Sequence, residues 1–417
     1  MQNTPKGLRL HIGIFGRRNA GKSSVLNALV RQKVSIVSDV PGTTTDPVEK
    51  PMELLPLGPV LFIDTAGIDE QSELGRLRVD KTQQVIERTD LALLVVEAGR
   101  WDDYEQALLD QLRRRGVPVV IVLNKADLGR ADRALVARLE PQAAACVEMV
   151  AAEGRGAAEL REAILRAVPE EFLQSPPLLR DLVPPGELAV LVVPIDLEAP
   201  RGRLILPQVQ AIRDLLDGDA YCIVVKQRDL PAALERLRRE PALVVTDSQA
   251  FAEVAEATPP SVKLTSFSIL LARQKGDLAQ FVRGATAIGR LRPGASVLVA
   301  EACTHHPIGD DIGRVKIPRW LERRVGGPLR FDHVAGRDFP DDDALGRYEL
   351  VIHCGACMWN RREVLARIER CRRNGVPVSN YGVTIAFALG MLGRALEPFP
   401  DALALYRAWE SSTQAGG

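Results

Sequence analysis

The first strong pattern in the chain is Leu10-His11-Ile12-Gly13-Ile14-Phe15, an apolar run closed by a glycine-rich loop, which predicts a strand. Val25, Leu26, Leu29 and Val30 then recur at helical spacing, which predicts an amphipathic helix. Near-continuous apolar runs at residues 60–63, 91–96 and 117–123 read as strands buried on both faces, the signature of a parallel sheet. Strand and helix patterns alternate through residues 8–170, which predicts a doubly wound α/β domain. Residues 172–186 are rich in Pro and Leu and read as a linker.

Two shorter β/α units follow. The first has strand patterns at 188–193, 220–225 and 242–245, with helices near 206–216, 231–238 and 249–257. It carries no dense cluster of reactive side chains, which suits an interaction or oligomerisation module. The second has a helix at 277–290, strands at 295–300, 330–334 and 349–352, and helices near 361–373 and 383–392. The expected division is 1–172, 173–264 and 265–417. The fold class is α/β: a P-loop domain plus two further β/α domains.

At 417 residues the chain exceeds one ordinary core. Lys+Arg and Asp+Glu both number 54, so no net basic charge points to nucleic acid. Arg113-Arg114-Arg115 and Arg372-Arg373 read as solvated helix faces. No apolar stretch is long enough to span a membrane, and no secretory leader pattern is seen, so a cytoplasmic location is expected. In a reducing compartment, clustered cysteines more often bind metal or do redox work than form disulfides.

Gly16-Arg17-Arg18-Asn19-Ala20-Gly21-Lys22-Ser23 fits G-x-x-x-x-G-K-[ST], following a strand and opening a helix. Its glycines let backbone N–H groups wrap phosphates; Lys22 neutralises β/γ oxygens and Ser23 ligates Mg²⁺. Asn19, Ala20, Gly21 and Ser24 complete the loop's contacts. Asp64-Thr65-Ala66-Gly67 places a carboxylate for Mg²⁺ and, at Gly67, an amide for the γ-phosphate. In Asn124-Lys125-Ala126-Asp127, the Asp127 carboxylate matches the N1–H and N2 amino group of guanine, which selects GTP over ATP. Asn124 braces this loop and the Lys125 stem packs on the base. Pro41-Gly42-Thr43-Thr44-Thr45-Asp46 reads as a switch whose Thr44 ligates Mg²⁺ when γ-phosphate is present.

Residues 8–168 resemble the Era/TrmE-like GTPases. That resemblance implies a K⁺ site at Asn19 and Thr43, and slow, K⁺-stimulated hydrolysis. Ile68 stands where other GTPases have a water-orienting glutamine. Lys22, Thr44, Asp64 and Gly67 are the expected catalytic set. Ala151-Ala152 occupies the guanine-loop position that usually reads Ser-Ala, leaving the Ala152 amide for guanine O6.

The remaining chemistry is Cys303-Thr304-His305 and His353-Cys354-Gly355-Ala356-Cys357. Cys303 follows the first strand of the third unit and Cys354 the third, and parallel sheets collect sites at such strand ends. Three cysteines suit an Fe–S cube with one labile iron, or a Cys₃His zinc site. Cys146, Cys222 and Cys371 read as buried apolar residues.

With these motifs the whole chain resembles the [FeFe]-hydrogenase maturation GTPase (HydF) family. The resemblance implies a homodimer through the middle domain and a [4Fe–4S] cluster on Cys303, Cys354 and Cys357. It also implies a scaffold that takes a diiron precursor made with two radical-SAM maturases and delivers it to apo-[FeFe]-hydrogenase. His353, Glu301 and His305 are the candidates for a fourth cluster ligand. The alternative is an Era/TrmE-like GTPase acting on tRNA or the ribosome, with a zinc site.

Overall fold

The computed structural model describes residues 4–31, 47–65, 82–129, 132–173, 176–194, 204–302 and 311–414. The chain divides into two compact units, 1–175 and 176–417.

In the first unit the described strands are β1 (Leu10–Phe15), β2 (Val48–Leu54), β3 (Gly58–Asp64), β4 (Leu91–Glu97), β5 (Val119–Asn124) and β6 (Ala145–Glu148). They form one sheet in the order β2-β3-β1-β4-β5-β6, parallel except for β2. Side chains alternate across it. Leu91, Leu93 and Val95 of β4 join one core with Val25, Leu26 and Leu29 of helix α1 (Lys22–Arg31). Ala92, Leu94 and Val96 join the opposite core with Leu108, Leu109 and Leu112 of helix α2 (Asp103–Arg114). This period of two on a sheet covered on both faces is why the strands read as unbroken apolar runs.

Strand β2 escaped the sequence pattern. Its Val-Glu-Lys-Pro-Met-Glu-Leu run contains Pro51, which a sheet interior excludes but an edge tolerates. It pairs antiparallel with β3, from Val48 opposite Asp64 to Leu54 opposite Gly58.

Among the described residues, the second unit holds two four-stranded parallel sheets. One is β7 (Leu188–Val192), β8 (Tyr221–Val225), β9 (Leu243–Thr246) and β10 (Lys263–Ser266), ordered β10-β9-β7-β8. The other is β11 (Ser296–Glu301), β12 (Arg330–Ala335), β13 (Leu350–His353) and β14 (Val378–Asn380), ordered β12-β11-β13-β14. One continuous apolar core includes residues of both sheets.

Two expectations change here. Leu178, Leu179 and Val183, inside the expected linker, are buried in this core. Arg273 fastens the same segment, donating to Asp181 and to the carbonyls of Pro177 and Leu178. Helix α3 (Phe267–Lys275), which the sequence pattern did not predict, precedes helix α4 (Leu278–Ala287). Phe267, Ile269, Leu270, Leu271, Ala272 and Lys275 of α3 are all buried. A helix enclosed on most sides has no polar face, so it lacks the amphipathic signal.

Candidate functional site

In the first unit three loops meet at the carboxyl ends of β1, β5 and β6. Asn124, at the end of β5, joins them: its Nδ2 donates to the Ala20 carbonyl at 2.9 Å and its Oδ1 accepts from the Ala151 N–H at 3.0 Å. The glycines have steric reasons. A Cβ on Gly16 would lie 2.1 Å from the Val95 carbonyl, and one on Gly21 would lie 2.2 Å from Asn124 Nδ2. Asn19 turns the loop with φ +64° and Lys125 turns the next with φ +59°. Asp127 and Ala152 are exposed, open to a base.

Lys22 is buried, and its Nζ donates to the Gly16 and Arg17 carbonyls at 2.9 and 2.8 Å. Burial lowers its pKa. Ser23 Oγ donates to Asp64 Oδ2 at 3.1 Å. Asp64 Oδ1 is buried with no hydrogen-bond partner among the described residues, and burial raises the pKa of that carboxyl. An orphaned carboxylate oxygen beside a serine hydroxyl fits a hard divalent cation such as Mg²⁺. Ser24 is exposed on the first turn of α1. Thr43, Thr44, Gly67 and Ile68 lie outside the described residues.

Arg17 was not singled out by its motif, in which that position is variable. Its Nε donates to Glu105 Oε1 at 2.6 Å and its guanidinium lies 4.8 Å from the Tyr104 ring centre. Glu105 also accepts from the Asp102 N–H in the capping box of α2, so the phosphate loop is anchored to that helix start.

In the second unit β11 and β13 are adjacent, with Ala300 opposite His353. The Cys354 N–H extends the ladder to the Ala300 carbonyl at 2.9 Å. Cys354 Sγ accepts from the N–H groups of Ala302 at 3.1 Å and Ala356 at 3.5 Å. Ala356 makes the second contact with φ +49°. Two amides aimed at one sulfur suit a thiolate, the form that binds metal, so this loop fits an Fe–S or zinc ligand. Burial raises the Cys357 thiol pKa, while nearby Lys275 acts to lower it. Cys303 and His305 lie outside the described residues.

His353 is buried with both ring nitrogens engaged. Nδ1 lies 2.8 Å from the Cys354 carbonyl and Nε2 lies 3.2 Å from Arg367 Nη1. Burial first, and then Arg367, push its pKa down to about 3. The Arg367 guanidinium lies 4.1 Å from the Trp359 ring centre. Glu301 is buried and accepts from the Tyr381 hydroxyl at 3.1 Å. Cys371 is fully buried, and desolvation pushes its thiol up to about 12, a core residue and not a ligand.

Residues 279–398 match the hydrogen maturase F tetramerization domain, residues 178–276 the hydrogen maturase F dimerization domain, and residues 11–125 the 50S ribosome-binding GTPase family. The tRNA modification GTPase MnmE of Synechococcus sp. strain JA-3-3Ab is 40% identical over 38% of this chain and 33% of its own length. MnmE of Synechocystis sp. strain PCC 6803 is 33% identical over 57% of this chain and 49% of its own length. This chain thus spans between a third and a half of the length of these relatives. The G domain of the T. maritima FeoB iron transporter matches at 22% identity and TM-score 0.31, over 40% of this chain and 99% of that chain.

Proposed function

The chain belongs to the hydrogen maturase F family, and on that premise we infer that it is a GTP-hydrolysing scaffold for [FeFe]-hydrogenase maturation. It holds a [4Fe–4S] cluster and delivers a diiron precursor to apo-[FeFe]-hydrogenase. The precursor is built with two radical-SAM maturases. The observation that carries this reading is the union, in one chain, of a GTPase segment with two maturase-domain segments and a half-buried Cys-x-x-Cys loop whose first sulfur receives two N–H groups.

In the GTPase domain, Lys22 exchanges the Gly16 and Arg17 carbonyls for β/γ-phosphate oxygens. Ser23, Asp64 and, with γ-phosphate present, Thr44 would hold Mg²⁺, and the Gly67 amide would meet that phosphate. Asp127 accepts from guanine N1–H and N2, with Lys125 along the base and the Ala152 amide at O6. Asn19 and Thr43 would hold K⁺, which supplies positive charge to the developing phosphate charge. Ile68 offers no hydrogen bond to an attacking water, so hydrolysis is slow.

In the C-terminal domain, 265–417, Cys303, Cys354 and Cys357 would hold the cluster. Bound there, a cube with three thiolates supplies one iron whose remaining ligand exchanges easily. Glu301, His305 and His353 are the nearby candidates for that ligand. His353 would first have to leave Arg367 and the Cys354 carbonyl, whereas Glu301 would leave one tyrosine hydroxyl. The middle domain, 173–264, makes the homodimer. Nucleotide state acts on the switches near 39–47 and 66–80 and biases partner docking.

The 40% match to a tRNA modification GTPase is confined to 38% of the chain. The deciding experiment is anaerobic purification and reconstitution with iron and sulfide, followed by transfer to apo-hydrogenase. Iron uptake with GTP hydrolysis and hydrogenase activation supports the scaffold. Zinc in place of iron and no activation refutes it.

A further inference from the structure

We propose that Lys275 is the positioning residue of the Cys354-Gly355-Ala356-Cys357 loop, holding that loop in its metal-binding shape from the last turn of α3. This proposal rests on the reading of the loop as a metal site.

Lys275 is 3% exposed and ends α3. Its ammonium has three N–H donors. They meet three carbonyls of one short segment: Ala356 at 3.3 Å, Cys357 at 3.0 Å and Trp359 at 2.5 Å. The carbonyls turn inward to one point, which fixes the backbone on both sides of Cys357. Ala356 needs that support, since its φ of +49° is a conformation alanine seldom adopts.

The tie runs both ways. Arg361, in the helix that follows the loop, donates from Nη1 to the Gln274 and Gly276 carbonyls, each at 2.7 Å. Those carbonyls flank Lys275. Side chains of α3 also floor the loop: a Cβ on Gly355 would lie 3.3 Å from Leu271 Cδ1. Ser268 Oγ accepts from the Gly382 N–H at 3.1 Å.

A buried ammonium is costly unless its environment compensates it. Carbonyl dipoles and the nearby Glu363 carboxylate provide part of that compensation, and metal-bound thiolates at Cys354 and Cys357 would add to it. Reciprocally, the ammonium offsets negative charge on a thiolate-bound cluster. Lys275 lies within the segment matching the dimerization domain, and the loop lies within the segment matching the tetramerization domain. Within the 265–417 domain, the loop is thus held by a residue that lies outside the loop's own matched segment.

The test uses the full chain with Lys275→Met, Lys275→Arg and, as control, the exposed Lys263→Met. In reduced, metal-free protein, alkylation of Cys357 by iodoacetamide is followed by peptide mass spectrometry across pH, and the limiting rate of the thiolate is compared, because loss of Lys275 also raises the thiol pKa. Lys275→Met should raise that rate at least tenfold and Lys263→Met should leave it unchanged. If Lys275→Met does not fold, Lys275→Arg decides, because a planar guanidinium does not converge three donors from one nitrogen. Its rate should rise at least threefold. In reconstituted protein, Lys275→Met should lower the midpoint potential of the cluster, and Lys275→Arg should restore most of the shift. Unchanged alkylation in the deciding variant overturns the proposal. A raised alkylation rate in a chain that takes up no iron supports the role of Lys275 in the loop while refuting the metal reading.

Discussion

The backbone N–H of Ala302 points at Cys354 Sγ from 3.1 Å, across two adjacent parallel strands. Ala302 is the residue before Cys303, so this bond brings the entry to the first cysteine motif against the first cysteine of the second. Removing that sulfur should remove the site. Cys354→Ala is expected to leave iron content after anaerobic reconstitution at background, with GTP hydrolysis within about twofold of wild type. Iron retained at the wild-type level would exclude Cys354 as a ligand.

Asn124 is 3% exposed and bonds both Ala20 and Ala151. Asn124→Ala orphans a carbonyl and an amide in a buried place, at a cost of about 1–3 kcal/mol each. The melting temperature of the GTPase unit should fall, and GTP affinity should drop by tenfold or more. Calorimetry and nucleotide release rates check both.

Asp127 is exposed and free to meet a base. Hydrogen bonds to a charged group contribute about 1.5–3 kcal/mol, so Asp127→Asn should weaken GTP binding by roughly 10–150-fold. Xanthosine triphosphate, which carries a carbonyl where guanine has N2, should bind the variant better than it binds wild type. Competition binding with the two nucleotides measures the switch.

Asn19 holds φ +64° in the phosphate loop. GTP hydrolysis should run faster in KCl than in NaCl, and Asn19→Ala should abolish most of that difference. Asn19→Gly, which relaxes the backbone without a ligand oxygen, should lose it equally. A full K⁺ effect in either variant would show that the Asn19 side chain does not hold the ion.

His11 is buried, and its pKa falls to about 4, chiefly by desolvation. The folded state therefore binds fewer protons than the unfolded state between the two pKa values. This part of the stability is complete above the unfolded pKa near 6.5 and is lost as pH falls towards 4. Between pH 7 and 5 the loss is about 2 kcal/mol by linkage. Urea unfolding of wild type and His11→Gln at both pH values should show a smaller pH effect in the variant.

Much of the molecule was legible locally. The strand starting at Leu10 and the helix of residues 361–373 coincide with their expected places, because burial on one face or both leaves a period in the sequence. What local pattern missed has local causes too. Pro51 disguised an edge strand, the enclosed α3 has no polar face to mark it, and the leucines at 178 and 179 sit among prolines that read as a linker.

The sequence by itself determined the order of the phosphate and guanine motifs, the αβ rhythm and the spacing of the cysteines, because each depends on residue types within a few positions. Tertiary structure alone decided which remote groups serve those motifs. Arg17 meets Glu105, Asn124 bridges Ala20 and Ala151, and Lys275 gathers the carbonyls of 356, 357 and 359. The reason is physical: a hydrogen bond depends on separation in space, and only the packed sheets and helices bring residues 80 or more positions apart, such as Lys275 and Ala356, within its reach.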